Sequence, residues 1–266
     1  MGIPRSSYYK WQNRSKPEKE NQDEVICSLI LEYDKTFHHI LGYRRMRMYI
    51  NHFNQTNYSI GYIRRLMKML GVKAKIRMAR PGYRKSKPEY TAENILARDF
   101  TATKPNEKWL SDVTEFKVIG QKQKLYLCAI FDLYDRSIVA YKISSRNDNK
   151  LVFDTFDHAI KKHPNAKPIF HSDRGYQYTS NVFKTKLKDQ GITQSMSRVG
   201  RCIDNGPMEA FWGTIKSEMY YLNKFYSLED LKQAIINYIN FYNNKRLQSK
   251  LKCLPPVEYR KQASIA

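Results

Sequence analysis

The chain has 266 residues, 41% hydrophobic and 13% aromatic, which suffices for a sizeable buried core and excludes a disordered chain. It carries 47 Lys and Arg against 25 Asp and Glu, a formal net charge of +22. A field of that sign draws polyanions, of which nucleic acid is the abundant one.

From the amino terminus, MGIPRSSYYKWQNR lacks the apolar centre of a signal peptide, and no run in the chain reaches membrane-span length. A soluble, cytoplasmic protein with no membrane partner is expected. DEVICSLILEYDKTF and GYRRMRMYINHF then space their apolar residues as helices do. SIGYIRRLMKMLGV adds Ser59 as an N-cap, a periodic apolar set (Ile60, Ile63, Leu66, Met67, Leu70) and Gly71 as a stop. Three short helices, the last with Arg64, Arg65 and Lys68 on its polar side, read as a helix-turn-helix DNA-binding region over 1–75. Residues 61–90 hold ten basic side chains against one acid, Glu89. Within them KAKIRMARPGYRKSKPEY, broken by Pro81, Gly82 and Pro88, opens a basic linker over 76–104, where Arg84 and Lys85 are suited to phosphate contact.

The texture changes across residues 105–266. KWLSDVTEFKVI, KLYLCAIFDLYD and RSIVAYKISS are strand-like runs rich in β-branched and aromatic residues. DNKLVFDTFDHAIKKHP follows with helical spacing, KPIFHSD as a short buried strand, SNVFKTKLKDQG as a helix ending at Gly191, and ITQSMS as a fifth strand. NGPMEAFWGTIKSEMYY opens a helix with Asn205 as cap and Pro207 in its first turn, and SLEDLKQAIINYINFYNNKR is a last long helix capped by Ser227. This order fits an α/β layer on a mixed five-stranded sheet with flanking helices, preceded by a small all-α domain.

Three acids stand out. Asp112 lies inside the first strand, Asp173 closes the fourth, and Glu209 occupies the first turns of a helix. Each alone has an ordinary reading: a strand end, turn chemistry, dipole compensation. Converging, they would form an oxygen-rich site for Mg²⁺, and two such ions roughly 3.5–4 Å apart drive in-line phosphodiester chemistry. Thirty-five residues separate Asp173 from Glu209. The four cysteines (Cys27, Cys128, Cys202, Cys253) form no CxxC pair and no zinc spacing with histidine, so His171 and Cys202 are expected to support or pack, and Trp109 and Tyr126 to lie in the core.

The acid in WLSDVTEF, the acid in FHSDRGYQY and the glutamate after DNGPM, at this spacing, resemble the DDE catalytic core of retroviral-integrase-like transposases. The resemblance is closest to the second-reading-frame (OrfB-type) product of the bacterial insertion-sequence family numbered three. It extends from IPRSSYYKW through GYRRMRMYI, YIRRLMKMLGV and NILARDFTATKPNEKWLSDVT to YNNKRLQSKLKCLPPVEYR. Gln248 and Pro255 depart from the family's usual histidine and serine or threonine, away from the three acids.

The resemblance implies a ribonuclease-H-like catalytic core with a C-terminal helix. It implies two Mg²⁺, replaceable by Mn²⁺, bound by Asp112, Asp173 and Glu209. Lys216, seven residues beyond Glu209 on the same helical face, would hold the DNA end. Glu218 is about half a turn out of phase with Glu209 and a poor substitute for it. The implied partners are double-stranded DNA (element ends and target), further copies of the chain on that DNA, and an upstream-frame product that supplies a leucine zipper. The implied activity is cleavage of DNA and joining of 3′-hydroxyl ends to a target. A catalytically silent DNA-binding repressor and a structure-selective nuclease on the same core are the competing readings.

Overall fold

A computed structural model of the chain describes residues 4–15, 17–76, 93–198 and 202–263. It divides into two compact units, Met1–Lys75 and Ile76–Ala266.

The first unit contains four helices among its described residues: α1 (Arg5–Gln12), α2 (Glu18–Thr36), α3 (Tyr43–Asn54) and α4 (Ile60–Met69). The expected three are joined by α1, whose sequence has no apolar periodicity to announce it. Ile26 and Ile30 of α2, Met46, Tyr49 and Ile50 of α3, and Ile63, Leu66 and Met67 of α4 are buried. Ile60, at the first position of the expected stripe, is instead 41% exposed. Asn51 builds the α3–α4 turn: its Oδ1 accepts from the Tyr58 backbone N–H at 2.9 Å and its Nδ2 donates to the Tyr58 carbonyl at 3.1 Å. Ser59 caps α4 by accepting from the Tyr62 N–H. Gly71, at φ +69°, ends that helix, and the Val72 N–H reaches back to the Met67 carbonyl, as a left-handed C-terminal stop requires.

The second unit is built on five strands: β1 (Lys108–Lys117), β2 (Lys124–Asp132), β3 (Ile138–Ser144), β4 (Ile169–Ser172) and β5 (Thr193–Met196), in the order β3-β2-β1-β4-β5. β1–β2 and β2–β3 are antiparallel, while β1–β4 and β4–β5 are parallel. This is the mixed sheet expected of a ribonuclease-H-like core. α5 (Asn149–Lys162) crosses from β3 to β4. The one-turn helix α6 (Tyr176–Thr179) and α7 (Asn181–Asp189) join β4 to β5, and α8 (Gly206–Glu218), α9 (Leu228–Asn244) and α10 (Pro256–Ala263) complete the chain.

Alternation along the strands sorts the core into two layers. Leu125, Leu127, Ala129 and Phe131 of β2 face α8 and α9, with Leu110 and Phe116 of β1 beside them. Cys128 and Ile130 point the other way, with Trp109, toward Leu151, Val152 and Phe156 of α5 and Phe183 of α7. Phe183 meets the rings of Phe153, Phe156, Phe170 and Tyr178 at centroid distances of 5.5–5.7 Å, so this layer is mostly aromatic. Asp112, two positions from Leu110 and four from Phe116, therefore points to the α8 side.

The basic stretch of the linker, with Arg84 and Lys85, lies outside the described residues, as does the side chain of Cys202.

Candidate active site

The parallel pairing of β1 and β4 places Leu110 opposite His171 and Ser111 opposite Ser172. One step further along the same two strands stand Asp112 and Asp173. Adjacent strands lie about 4.8 Å apart, so the two carboxylates leave the sheet side by side and on one face. Asp112 is partly buried, and Asp173 lies at the exposed mouth of the strand.

Each carboxylate is oriented. Asp112 Oδ1 accepts from the Val113 N–H at 2.7 Å, and Oδ2 accepts from Trp212 Nε1 at 2.9 Å. Asp173 Oδ1 accepts from the Gly175 N–H at 2.9 Å. At Gly175 an added Cβ would come within 2.9 Å of Gln177 Oε1 and 3.1 Å of Asp173 Oδ1, so a side chain there would press on the second acid.

The electrostatics are dominated by desolvation, with like charge second at Asp112. Desolvation, then the charge of Asp173, and least the charge of Glu209 push the Asp112 carboxyl up to about 7, against the Trp212 and Val113 hydrogen bonds. Desolvation also raises Asp173, against the Gly175 hydrogen bond. Burial lowers the Lys216 ammonium, while Glu115 and Asp112 pull it back up, so the positive charge of Lys216 is felt at Asp112. Its Nζ lies 5.5 Å from the centre of the Phe116 ring.

α8 brings Glu209 to this face. Asn205 stands at its N-terminal boundary but does not cap it through its side chain. The Asn205 amide is committed instead to the sheet, with Nδ2 donating to the Ser111 carbonyl at 3.3 Å, and its buried Oδ1 has no hydrogen-bond partner among the described residues. Trp212, three residues after Glu209 and hence one turn along the same face, makes the bond to Asp112. Glu209 itself is exposed. Among the described residues no three His, Cys, Asp or Glu side chains close on a point where one ion could sit.

Two side chains that had to be weighed against this set prove to be committed elsewhere. Glu218 is buried, with both oxygens on the Arg246 guanidinium at 2.8 and 2.9 Å and one accepting from the Tyr238 hydroxyl at 2.8 Å. His171 is fully buried, with Nδ1 2.9 Å from Ser195 Oγ and Nε2 3.1 Å from Ser197 Oγ. Trp109 is a core residue, and Tyr126 packs partly buried against the same layer. The contribution missed from sequence is Trp212; a buried tryptophan usually finds a partner for its N–H, and its one-turn spacing from Glu209 was the available signal.

In the first unit Arg64, Arg65 and Lys68 are exposed on α4. Arg64 lies 5.3 Å over the Tyr43 ring, and Arg65 Nη2 donates to Asp23 Oδ2 at 2.7 Å. Asp23 also accepts from the Tyr62 hydroxyl, and these two bonds hold its carboxyl below the usual range.

The fold and the paired strand acids beside α8 define an integrase-core protein. Models of the integrase core domain match residues 102–202 and 209–263. The chain is 41% identical to the putative transposase InsK for insertion sequence element IS150 of Escherichia coli K12, over 98% of this chain and 90% of that protein. It is 42% identical to an uncharacterized transposase-like protein of Haemophilus influenzae, over 76% of this chain and 92% of that one. Among solved structures, one from the simian T-cell lymphotropic virus intasome in complex with PP2A regulatory subunit B56 gamma aligns with 80% of this chain and 74% of its own at TM-score 0.50 and 15% identity, a likeness of fold alone. The chain belongs to the DDE transposases of IS3-type insertion sequences.

Proposed function

We propose that the chain is a Mg²⁺-dependent transposase that binds its element's ends, cuts their phosphodiester bonds with water and joins the 3′-hydroxyls to target DNA. The observation that carries this reading is the β1–β4 register, which sets Asp112 beside Asp173, with Trp212 of α8 bonded to the first. Asp112, Asp173 and Glu209 would hold two Mg²⁺, with Mn²⁺ as a substitute.

The donor set suits hard divalent ions, being all oxygen. Burial, and after it the charge of Asp173, raises the Asp112 carboxyl, and a cation would offset both. The orphaned buried Oδ1 of Asn205, whose amide nitrogen reaches Ser111, adds a further acceptor next to the pair. Glu209, exposed on the first turn of α8, is the third acid of the set. Held by Asp112, Asp173 and Glu209, such ions would supply activation of the attacking oxygen and stabilisation of the leaving one. The protein's own groups do the positioning. Trp212 orients Asp112, the Gly175 N–H orients Asp173, and Lys216 holds a phosphate of the DNA end.

Arg64 and Lys68 on α4, with Arg84 and Lys85 of the linker, are assigned to DNA phosphates. Arg65 shares its guanidinium between that role and Asp23. Residues 1–75 thus serve as the DNA-binding region, 76–104 as the basic linker and 105–266 as the catalytic core. Joining two ends needs at least two active sites, so the working form is a homo-oligomer on DNA, completed by the upstream-frame product or its fusion. The setting is the bacterial cytoplasm.

The test is incubation with the element's own ends and Mg²⁺, scoring nicked and joined products separately. Wild type should give both and Glu209→Gln neither. Nicking without joining would move the chain to the structure-selective nucleases, and binding without either would make it a repressor.

A further inference from the structure

Asp204 lies in the short 3-10 turn Cys202–Asn205 that leads into α8, and it is completely buried. It collects donors from two directions. From the segment that enters the catalytic unit, Arg98 Nε donates to Oδ1 at 2.6 Å and Asn94 Nδ2 to Oδ2 at 3.1 Å. From beyond β5, Arg198 donates through its backbone N–H at 3.0 Å, Nε at 2.9 Å and Nη2 at 3.0 Å. The Arg198 and Arg98 hydrogen bonds hold the Asp204 carboxyl well below the usual range, against its burial.

The entering segment is itself fastened to the sheet. The Leu96 N–H donates to Ser195 Oγ at 3.0 Å, and Ser195 Oγ meets His171 on β4. Leu96 is buried in the layer shared with α8 and α9. Asp204 therefore ties α8 to a frame anchored on β4 and β5.

The first turn of α8 depends on that tie because it has no side-chain cap of its own. Glu209 is exposed on this turn, and the fixed points around it are Asp204 and Asn205 before it and Trp212 after it.

We infer that Asp204 is a positioning residue for Glu209: by gripping Arg98, Asn94 and Arg198 together, it sets where the first turn of α8 stands relative to Asp112 and Asp173. The inference rests on the reading of Glu209 as the third metal ligand. It makes residues 94–98, in the later part of the 76–104 linker, part of the catalytic apparatus.

The experiment uses the full chain with Asp204→Asn, Arg98→Ala and Glu209→Gln. Hydrogen exchange is followed in metal-free protein, and Mg²⁺ is titrated against cleavage of element-end DNA. Asp204→Asn should exchange faster over residues 205–212, with β1, β2 and α9 unchanged. Its half-maximal Mg²⁺ concentration should rise about tenfold or more, the usual effect of losing a partner behind a metal ligand, with unchanged KM for DNA. Arg98→Ala should show the same pattern more weakly, since Arg198 remains, and it carries the test if Asp204→Asn does not fold. A lowered melting temperature with neither local exchange nor Mg²⁺ midpoint moved would make Asp204 a structural anchor only and overturn the inference. Glu209→Gln separates the two claims. Full activity there overturns the metal reading of the site, and with it the object of the positioning. Loss of activity there, with an unmoved Asp204→Asn midpoint, overturns the positioning alone.

Discussion

Two pairs of aspartates flank β1 on opposite faces of the sheet, and they are treated in opposite ways. At the start of the strand Asp132 stands across from Trp109, and with Asp135 it is fully buried. Arg260 of α10 reaches into this pair, Nη2 to Asp132 Oδ2 and Nε to Asp135 Oδ2; the Asn106 backbone N–H shares Asp132 Oδ2, and those of Tyr134 and Ser137 satisfy the two Oδ1 atoms. Three residues along β1, Asp112 and Asp173 form a second pair, whose described partners are a tryptophan N–H and backbone N–H groups. The first pair is closed by the protein's own cation and fastens the C-terminal helix. The second keeps its repulsion, which suits it to an external cation. Aspartate pairs on either side of the same sheet thus differ in whether an arginine arrives, and the pair without one is the pair proposed for chemistry.

The comparison breaks most visibly at the second pair. Asp112→Asn or Asp173→Asn should lower strand joining by about 10³-fold or more, the equivalent of several kcal/mol of lost charge stabilisation in the transition state. Melting temperature in metal-free protein should hold or rise, because a repulsion is removed. A variant with near-normal joining would take that residue out of the metal site.

At the first pair the order of effects reverses. Arg260→Ala leaves two buried carboxylates without their cation and should cost about 3 kcal/mol of stability, read by denaturant unfolding. Burial, then Asp135, already raise the Asp132 carboxyl to about 6 in spite of Arg260. A carboxyl raised in the folded state favours folding while protonated, and that contribution is lost as pH climbs through its folded value. The Arg260→Ala deficit should therefore be larger near pH 8 than near pH 5, and an equal deficit at both would show that the arginine does not govern the ionisation of Asp132.

The smallest effect sharpens the contrast. Mg²⁺ at about 100 times its dissociation constant should stabilise the wild type by about 2.7 kcal/mol, seen as a thermal shift. Arg260→Ala should keep that shift and Asp112→Asn should lose it. A shift retained in Asp112→Asn would place the ion elsewhere.

Local signals carried much of this structure in the sequence. The β-branched and aromatic runs of β1, β2 and β3, the Ser59 and Ser227 caps and the Gly71 stop are decided by residues a few positions apart, and they stand where the pattern puts them. Asp112 and Asp173 were conspicuous because a charge inside or at the end of an apolar strand is costly. Pairings between distant residues were not legible. Asn205 looks like a helix cap in its own neighbourhood, yet its amide goes to Ser111 on β1, and tertiary hydrogen bonding overrode the local preference. Glu218 could be judged only by its phase on the helix, whereas Arg246, which neutralises it, comes from beyond the end of α9. Nothing near Asp204 hints that Arg98 will find it across 106 residues.

The mixed sheet also has a bearing on synthesis. β1, β2 and β3 form a local meander that can assemble soon after it leaves the ribosome, whereas the parallel β1–β4 pairing must wait for the α5 crossover. Trp212 and Asp112 are separated by 100 positions, so the contact that seats α8 forms only when most of the core has emerged. A nascent chain arrested before α8 would display a folded meander and an exposed Asp112 but no helix to bear Glu209. Truncated products of this gene are thus expected to be catalytically silent, though their N-terminal basic helices would still be available to occupy DNA.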